Sequence, residues 1–142
     1  MTTVAKGGRG RLDEVRWIDL PSRHDARGVL TAIESGRDIP FEVKRVYLLH
    51  HVVADRGGHA HRDTTQVVVA VAGRCEMLLS DGTSSLGFVL DDCTRGLLLG
   101  PMLFIRLLGF TAETRVMVLA STHYDPTRSI RSWEDYMTAI AP

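Results

Sequence analysis

Two histidines separated by a single residue are the part of the sequence best suited to acid–base chemistry. His59 and His61 lie in the stretch RGGHAHRD, residues 56–63, directly after two glycines. On a β-strand, alternate residues point to the same face, so the two imidazoles project together while Ala60 points away. If that face lines a barrel, the pair lies in a pocket. Such a pair can bind a metal, transfer protons or simply pack.

The residues around the pair argue against a metal site. The His-x-His pattern resembles the first motif of cupins, small jelly-roll barrels in which a Glu a few residues on and a third His from a later strand complete the ligand set. Here Gln66 stands at the Glu position, and the later strand, GPMLFIRLLGF, contains no histidine. Two imidazoles and an amide make a poor site for zinc or iron. We therefore predict no bound metal.

Without a metal, two neighbouring imidazoles are suited to moving protons, because the pKa of a histidine lies close to neutral pH. General acid–base catalysis of this kind is worth about 10²–10⁴-fold in rate. Two such groups on one strand face can serve neighbouring carbons of one substrate. The pair therefore suggests a proton shuttle.

The pair must be positioned by β-structure, because short runs rich in β-forming residues, separated by turn residues, fill most of the chain. The runs cover residues 15–20, 29–34, 44–52, 66–73, 74–82, 85–92, 96–101, 102–110 and 115–121. This spacing predicts an all-β sandwich or barrel. The last run, SIRSWEDYMTAI, predicts a short C-terminal helix with Ser132 as its N-cap.

Several predicted strands, such as VVVAVA and RVMVLA, are apolar on both faces. This pattern fits two packed sheets, or a barrel whose outer face is covered by a partner subunit, and it does not decide between them. The many leucines of GLLLGP and MLFIRLLGF favour a dimer, because a monomer rarely leaves such residues exposed.

Length and composition narrow the class of protein. The 142 residues predict one domain over 15–142, preceded by a disordered leader over 1–14. Lys plus Arg and Asp plus Glu both number 17, so no net charge favours nucleic acid or an anionic membrane. The absence of a long apolar segment, and two cysteines without metal-site spacing, predict a cytoplasmic protein in which Cys75 and Cys93 are buried thiols.

The chain resembles the nucleotide-sugar 3,4-ketoisomerases of the cupin superfamily, the WxcM-like cupins or sugar 3,4-oxoisomerases, which act on dTDP-4-keto-6-deoxyglucose. The resemblance runs from about residue 17 to 136. It rests on DARG, IPFEVKRVYLL, RGGHAHRDTTQVVVAVAGRCEMLLSDG, GLLLGP and VMVLASTHYDPTRSIRSWEDY. The combination of IPFEVKRVY, RGGHAH and VLAS..YD....IR is more specific than any one of these motifs.

The resemblance implies a metal-free jelly-roll enzyme without a cofactor that forms a homodimer with exchanged N-terminal strands. Its reaction moves a keto group from C4 to C3 of a hexose through an enediol or enediolate. The family's histidine pair matches His59 and His61. Its Arg and Tyr near the sugar match Arg27 of DARG and Tyr47 of KRVY, and Gln66 is a further candidate for contact with a histidine or the sugar.

The chain also departs from the family pattern. Where the family usually has Pro, two residues, Trp, then His or Arg and a Glu, this chain has Pro101 followed later by Phe104, Ile105 and Arg106. One wall of the pocket is therefore expected to lack the family's Trp side chain and the polar residue beside it. We expect His50 and His51 at a rim, and His24 and His123 in loops or turns.

Three other functions compete with the ketoisomerase. A 3,5-epimerase-like enzyme uses the same α-proton chemistry, but usually pairs one His with a Tyr acid. A non-catalytic nucleotide-sugar-binding cupin is favoured by the changed residues at 104 and 105. A metal-dependent cupin oxygenase is the third.

Overall fold

Residues 8–142, the part of the chain that the computed structural model describes, fold into antiparallel β-sheets and one short helix. The all-β prediction with a C-terminal helix is confirmed. The elements are β1 Arg16–Asp19, β2 Ser22–Asp25, β3 Gly28–Thr31, β4 Arg45–Leu49, β5 Arg56–His61, β6 Gln66–Ala72, β7 Cys75–Ser80, β8 Ser85–Leu90, β9 Arg95–Leu99, β10 Phe104–Leu108, β11 Arg115–Ala120, β12 Ser129–Ile130 and α1 Trp133–Ile140.

Two five-stranded sheets form the jelly-roll barrel. The first has the strand order β1-β9-β6-β11-β4, and the second has the order β12-β5-β10-β7-β8. The strands β2 and β3 form a separate two-stranded hairpin. Because β4 lies at one end of the first sheet and β12 and β5 at one end of the second, these strands border the same side of the barrel.

The barrel interior is a dry apolar core between the two sheets. Val68, Val116 and Val118 of the first sheet meet Met77 and Leu79 of the second, and all five side chains are buried. Alternate residues of the same strands point outward, as the pleat requires. This core accounts for the inward-facing apolar residues of the strands that are apolar on both faces.

Many outward-facing apolar residues of these strands are covered by other segments of the same chain. Val67 and Val69 of β6 pack under Ile39 and its partly buried neighbours in the segment between β3 and β4. On the second sheet, Tyr136 and Ile140 of α1 cover the outer face in the same way. In β6 and β11, the strands whose sequences are apolar on both faces, much of the cover of the outer face comes from within the chain.

The leucine-rich segments do not form an exposed patch. Leu97, Leu98, Leu99, Leu103 and Leu107 are all buried within the subunit, so this reason for predicting a dimer was wrong. The sequence pattern could not show that one chain supplies enough apolar cover for both segments.

Among the strands of residues 8–142, the most exposed large apolar side chains lie on the outward face of β4 and on the β2–β3 hairpin. Val46 and Leu48 of β4 are 54% and 58% exposed, and Val29 and Leu30 of β3 are 55% and 62% exposed. On β4, the alternate residues Arg45 and Tyr47 face inward and are partly buried. The first sheet therefore ends in a strand with one apolar face open to solvent.

The predicted leader and cysteine states need correction. Leu12–Glu14 forms a 3₁₀ turn, and Gly10 is buried with its amide donating to the Met102 carbonyl at 2.8 Å, so disorder does not extend over residues 10–14. Residues 1–7 of the predicted leader lie outside the described residues. Both cysteines are free thiols, but only Cys75 is buried while Cys93 is exposed.

Secondary structure at the C-terminus follows the prediction closely. The Ser132 hydroxyl accepts a hydrogen bond from the Asp135 amide at 3.1 Å, which is an N-cap.

In residues 8–142, no helix has the length and apolar character needed to cross a bilayer. The strands β2, β5 and β12 were not among the predicted runs, because β2 is short and polar, β12 has only two residues, and β5 is composed mainly of Gly, His and Arg.

A close backbone contact fixes the strand that carries the histidine pair. The β5–β10 pairing places Ile105 opposite His59, and the register shifts between Ile105 and Arg106. At this irregularity Gly57 has φ of 96°, and a Cβ there would lie 2.6 Å from the Ile105 carbonyl oxygen. Glycine is required because the backbone of β10 occupies the space of a side chain.

Replacing Gly57 by alanine should destabilise the fold more than the same change at Gly58. Both residues have positive φ, but nothing lies within 4 Å of a Cβ at Gly58. Gly58→Ala should therefore cost about 1–2 kcal/mol in backbone strain alone, and Gly57→Ala should add about 1–3 kcal/mol of overpacking. Urea unfolding of both variants measures the difference, and equal free energies of unfolding would contradict the contact.

Candidate active site

A cavity of about 940 Å³ opens at the side of the barrel that β4 and β5 border. Its walls come from β4, β5, β6 and the segments on either side of the short turn Pro126–Arg128. The side chains that matter for chemistry are Arg45, Tyr47, Arg56, His59, His61, Gln66, His123, Tyr124, Arg128, Ser129 and Arg131. A cavity of this size is large enough for a small organic ligand.

The histidine pair lies in this cavity as the sequence predicted. His59 and His61 are alternate residues of β5, and both rings line the cavity. Their ring centroids are 4.9 Å apart with an interplanar angle of 74°. Two partly buried imidazoles therefore face one space, close enough to act on neighbouring atoms of one ligand.

Both rings are held in the neutral, proton-accepting state. Burial lowers the pKa of His59, and the backbone of Gly57 opposes this effect. Burial, followed by the charges of His59 and Arg45, lowers the pKa of His61 to about 4. At neutral pH the His61 ring is therefore uncharged and can accept a proton.

The two ring nitrogens of His61 have different surroundings. Its Nδ1 lies 3.5 Å from the Ser129 hydroxyl, a long contact across the pair formed by β12 and β5. Its Nε2 is buried and has no hydrogen-bond partner among residues 8–142. A buried nitrogen without a partner is uncommon in proteins, and here it lies beside the cavity that a ligand would fill.

Tyr47 and Gln66 form a hydrogen-bonded pair on the adjoining wall. The Gln66 side-chain amide donates to the Tyr47 hydroxyl at 3.1 Å. Because Tyr47 accepts this bond, its own O–H remains available to donate toward the cavity. Burial raises the pKa of Tyr47, so the phenol keeps its proton at neutral pH. Gln66 is buried and contacts Tyr47 rather than a histidine.

Arg27 does not reach the cavity of its own chain. It lies at the tight turn between β2 and β3, where its guanidinium pairs with Asp25 at 2.8 Å. Its side chain is 91% exposed. Of the predicted site residues, the structure therefore brings together His59, His61, Tyr47 and Gln66 and leaves Arg27 apart.

Several cavity residues were not singled out from the sequence. Arg45 is two residues before Tyr47, so strand alternation alone places it on the same inward face. Tyr124, Ser129 and Arg131 belong to a segment whose fold depends on distant contacts, including a 2.8 Å ion pair between Arg128 and Asp63. His123, predicted as a turn residue, is exposed but lines the cavity.

The departures at 104–106 have separate structural consequences. Phe104 turns away from the cavity and packs against Trp133 and Tyr136 of α1, with ring centroids 5.2 and 5.4 Å away. Ile105 is buried in the inter-sheet core opposite His59. The position beside His59 is therefore apolar in this chain.

The donor set around the histidines remains poor for a metal. Among residues 8–142, no three His, Cys, Asp or Glu side chains come together as ligands. Gln66, the third candidate, already donates to Tyr47.

The free energy of unfolding should depend on His61 in the weakly acidic range. The pKa of His61 is about 4 when folded and 6.5 when exposed, so the unfolded chain binds more protons between these values. The native protein should therefore lose stability as pH falls from about 6.5 to about 4. In His61→Gln this loss should be smaller, which urea unfolding across the range measures. Equal slopes for both proteins would contradict a depressed pKa.

Comparison with known proteins agrees with this geometry. The family described as FdtA, WxcM-like, C-terminal, matches residues 13–141. A TDP-4-oxo-6-deoxy-alpha-D-glucose-3,4-oxoisomerase from Aneurinibacillus thermoaerophilus is 39% identical over 130 residues, which are 90% of this chain and 94% of the relative.

Solved structures of similar proteins give the same result. QdtA, a sugar 3,4-ketoisomerase from Thermoanaerobacterium thermosaccharolyticum in complex with TDP, has a TM-score of 0.86 and 34% identity, covering 90% of this chain and 95% of that chain. A histidine-to-asparagine mutant of QdtA in complex with TDP-4-keto-6-deoxyglucose also has a TM-score of 0.86, with 33% identity over 90% and 94% of the two chains. The resemblance seen in the motifs is confirmed, and the chain belongs to the WxcM-like, C-terminal (FdtA) family.

Proposed function

We propose that this protein is a sugar 3,4-ketoisomerase that converts dTDP-4-keto-6-deoxy-D-glucose to the dTDP-3-keto-6-deoxyhexose in deoxysugar biosynthesis. The observation that carries the proposal is the neutral histidine pair facing a cavity beside the Tyr47 phenol. The named activity of the 39% identical relative, and the ligands of the QdtA structures, agree with this chemistry.

The reaction is an internal transfer that needs bases and hydrogen-bond donors. The C3 proton of the substrate is acidic because C3 adjoins the C4 carbonyl. A neutral histidine removes this proton, and the electrons of the C3–H bond form the C3–C4 double bond of an enediolate with its charge on O4. C4 then gains the proton taken from C3, while the O3 hydroxyl loses a proton and O4 gains one, which leaves a ketone at C3 and a hydroxyl at C4.

The cavity supplies each of these roles. His59 and His61 accept and return the protons, since both are neutral and face the same space. The free O–H of Tyr47 donates to the developing oxyanion, and Gln66 holds that phenol in place. The proposed reaction therefore requires no cofactor and no metal.

Arginines in the wall fit a nucleoside diphosphate. Arg56 and Arg131 line the cavity and have no carboxylate at ion-pair distance among residues 8–142, whereas Arg128 is neutralised by Asp63. Guanidinium groups bind phosphate oxygens through paired hydrogen bonds. We assign the diphosphate to Arg56 and Arg131. The thymidine base follows from the relatives' names alone.

We further propose a homodimer in which N-terminal strands are exchanged. The β2–β3 hairpin pairs with neither large sheet within residues 8–142, and β4 leaves one edge unpaired. The hairpin and β4 also carry the exposed apolar side chains Val29, Leu30, Val46 and Leu48. Adding the hairpin of one subunit to β4 of its partner would cover both and carry Arg27 toward the partner's cavity, which Leu48 borders.

The proposed location is the cytoplasm. Cys75 and Cys93 are both free, and an exposed thiol such as that of Cys93 persists most readily in a reducing compartment.

Removing either histidine should abolish turnover without abolishing binding. We expect His59→Asn and His61→Asn each to lower kcat by about 10²–10⁴-fold, while Asp91→Asn, an exposed position after β8 and outside the cavity, leaves the rate at the native value. The measurement is an NMR time course with dTDP-4-keto-6-deoxyglucose in deuterated buffer, which also shows the C4 configuration of the product.

The same time course separates the competing functions. Deuterium entering C3 or C5 with inverted configuration and no 3-keto product would indicate an epimerase. Binding of the nucleotide sugar with no proton exchange at high protein concentration would indicate a non-catalytic binder, and either result would overturn the ketoisomerase.

Exchange of the hairpin predicts complementation between two inactive variants. Arg27→Ala and His59→Asn subunits, when co-expressed, should form mixed dimers in which one cavity has both native residues. About a quarter of all cavities would then be intact if the subunits assort randomly in a symmetric dimer. Co-expressed His59→Asn and His61→Asn should show no recovery, because one subunit supplies both histidines of a cavity and every cavity therefore carries one of the two changes. Absence of recovery in the first pair would contradict an Arg27 supplied by the partner subunit.

A further inference from the structure

Arg45 is held between two aromatic rings at the mouth of the cavity. Its guanidinium carbon lies 4.5 Å from the centroid of the Tyr47 ring and 4.7 Å from that of the Tyr124 ring. Tyr47 belongs to the same strand, while Tyr124 lies in the segment that follows β11. Two rings on different segments therefore fix a side chain that would otherwise sample many rotamers.

The charge of Arg45 is not cancelled by a nearby acid. Among residues 8–142, no carboxylate lies within ion-pair distance of it, in contrast to Arg128 with its 2.8 Å bond to Asp63. Arg45 and His61 line the same cavity. A fixed and uncompensated positive charge at this place opposes the appearance of a second positive charge on the histidine pair.

We propose that Arg45, clamped between Tyr47 and Tyr124, is a positioning residue that adds a fixed positive charge to the cavity wall shared with His61 and holds the Tyr47 phenol toward the substrate. The assignment rests on the proposed ketoisomerase function and adds a residue to the same site. The clamp links β4, which carries Tyr47, to the segment that follows β11. That segment continues to Ser129, which pairs with His61 of β5. Arg45 thereby packs against the Tyr47 ring and adds a positive charge to the wall that His61 shares.

Other groups around His61 either oppose or favour its protonation, so the effect of Arg45 has to be compared with theirs. On its own strand and just beyond it lie His59, which opposes protonation, and Asp63, which favours it. The segment around β12 contributes Arg131, which opposes protonation, and the uncharged Ser129 hydroxyl. From the remaining walls Gln66 is neutral, while Arg56, His123, Asp125 and Arg128 border the same cavity.

Arg45 differs from these groups in being fixed from two sides without an acid partner. Asp63 shares its charge with Arg128, so its effect on His61 is reduced. Burial and the neighbouring charges of His59 and Arg45, in this order, lower the pKa of His61 to about 4. The removal of Arg45 should therefore be visible at His61 itself.

The test is an NMR titration of the histidine rings in the full-length protein without substrate. The His61 signal is assigned by its absence from His61→Gln. We expect a higher pKa of His61 in Arg45→Gln than in the native protein, and a value close to native in Arg45→Lys, which keeps the charge. Tyr124→Ala, which removes one ring of the clamp and leaves Arg45, should give an intermediate value.

Several outcomes would overturn the proposal. An unchanged pKa of His61 in Arg45→Gln would show that Arg45 does not control it. Equal increases in Arg45→Gln and Arg45→Lys would show that packing, rather than charge, is responsible. If Arg45→Gln does not fold, Tyr124→Ala decides, and a native pKa there would rule out the clamp.

Kinetics provide a second measurement that separates this proposal from the proposed function. The acidic limb of the pH profile of kcat/KM should move to higher pH in Arg45→Gln by the same amount as the pKa of His61, and stay in place in Arg45→Lys. A native protein that does not isomerise the sugar would end the ketoisomerase proposal, while the titration would still report on Arg45. An active protein whose acidic limb is the same in Arg45→Gln would overturn the role of Arg45 alone.

Discussion

The site depends on two imidazoles held partly buried without a carboxylate hydrogen-bonded to either ring in the described chain. Burial removes water from His59 and His61, and a charged imidazole loses more solvation free energy than a neutral one. The surrounding wall carries the four arginines Arg45, Arg56, Arg128 and Arg131 against the two acids Asp63 and Asp125, and this excess of positive charge penalises protonation further. Both effects keep the two imidazoles uncharged at neutral pH, which is the form that can accept a proton.

This arrangement requires a rigid strand, and the barrel supplies one. β5 lies between β10 and β12, and Gly57 lets the backbone of β10 approach without a side chain between them. On the first sheet, the segment after β3 covers the outer face, and α1 covers part of the second. The histidines are therefore carried by a strand that is paired at both edges and supported by a packed core.

The change at position 105 gives the site an unusual wall. Ile105 lies opposite His59 in the β5–β10 register and is buried in the inter-sheet core. An apolar neighbour offers His59 no hydrogen bond and no charge, so the polar side chains that face the cavity come from other positions, among them Tyr47 and the arginines. The hydrogen-bond donor Tyr47 and the two histidine bases therefore lie on separate walls of one cavity.

The sequence by itself determined the local features that depend on period and spacing. Strand alternation placed His59 and His61 on one face, the β-rich runs predicted the barrel, and Ser132 marked the start of α1. The family motifs identified Tyr47 and Gln66, which the structure brings into the same cavity.

Only the tertiary structure decided which distant segments meet. The Tyr124–Arg45–Tyr47 stack, the Ser129–His61 contact and the burial of the leucine-rich segments all join residues far apart in the chain. The separation of Arg27 from its own cavity likewise depends on where the hairpin lies. Sequence patterns report which face a residue occupies, but the partner of that face is set by packing over the whole fold.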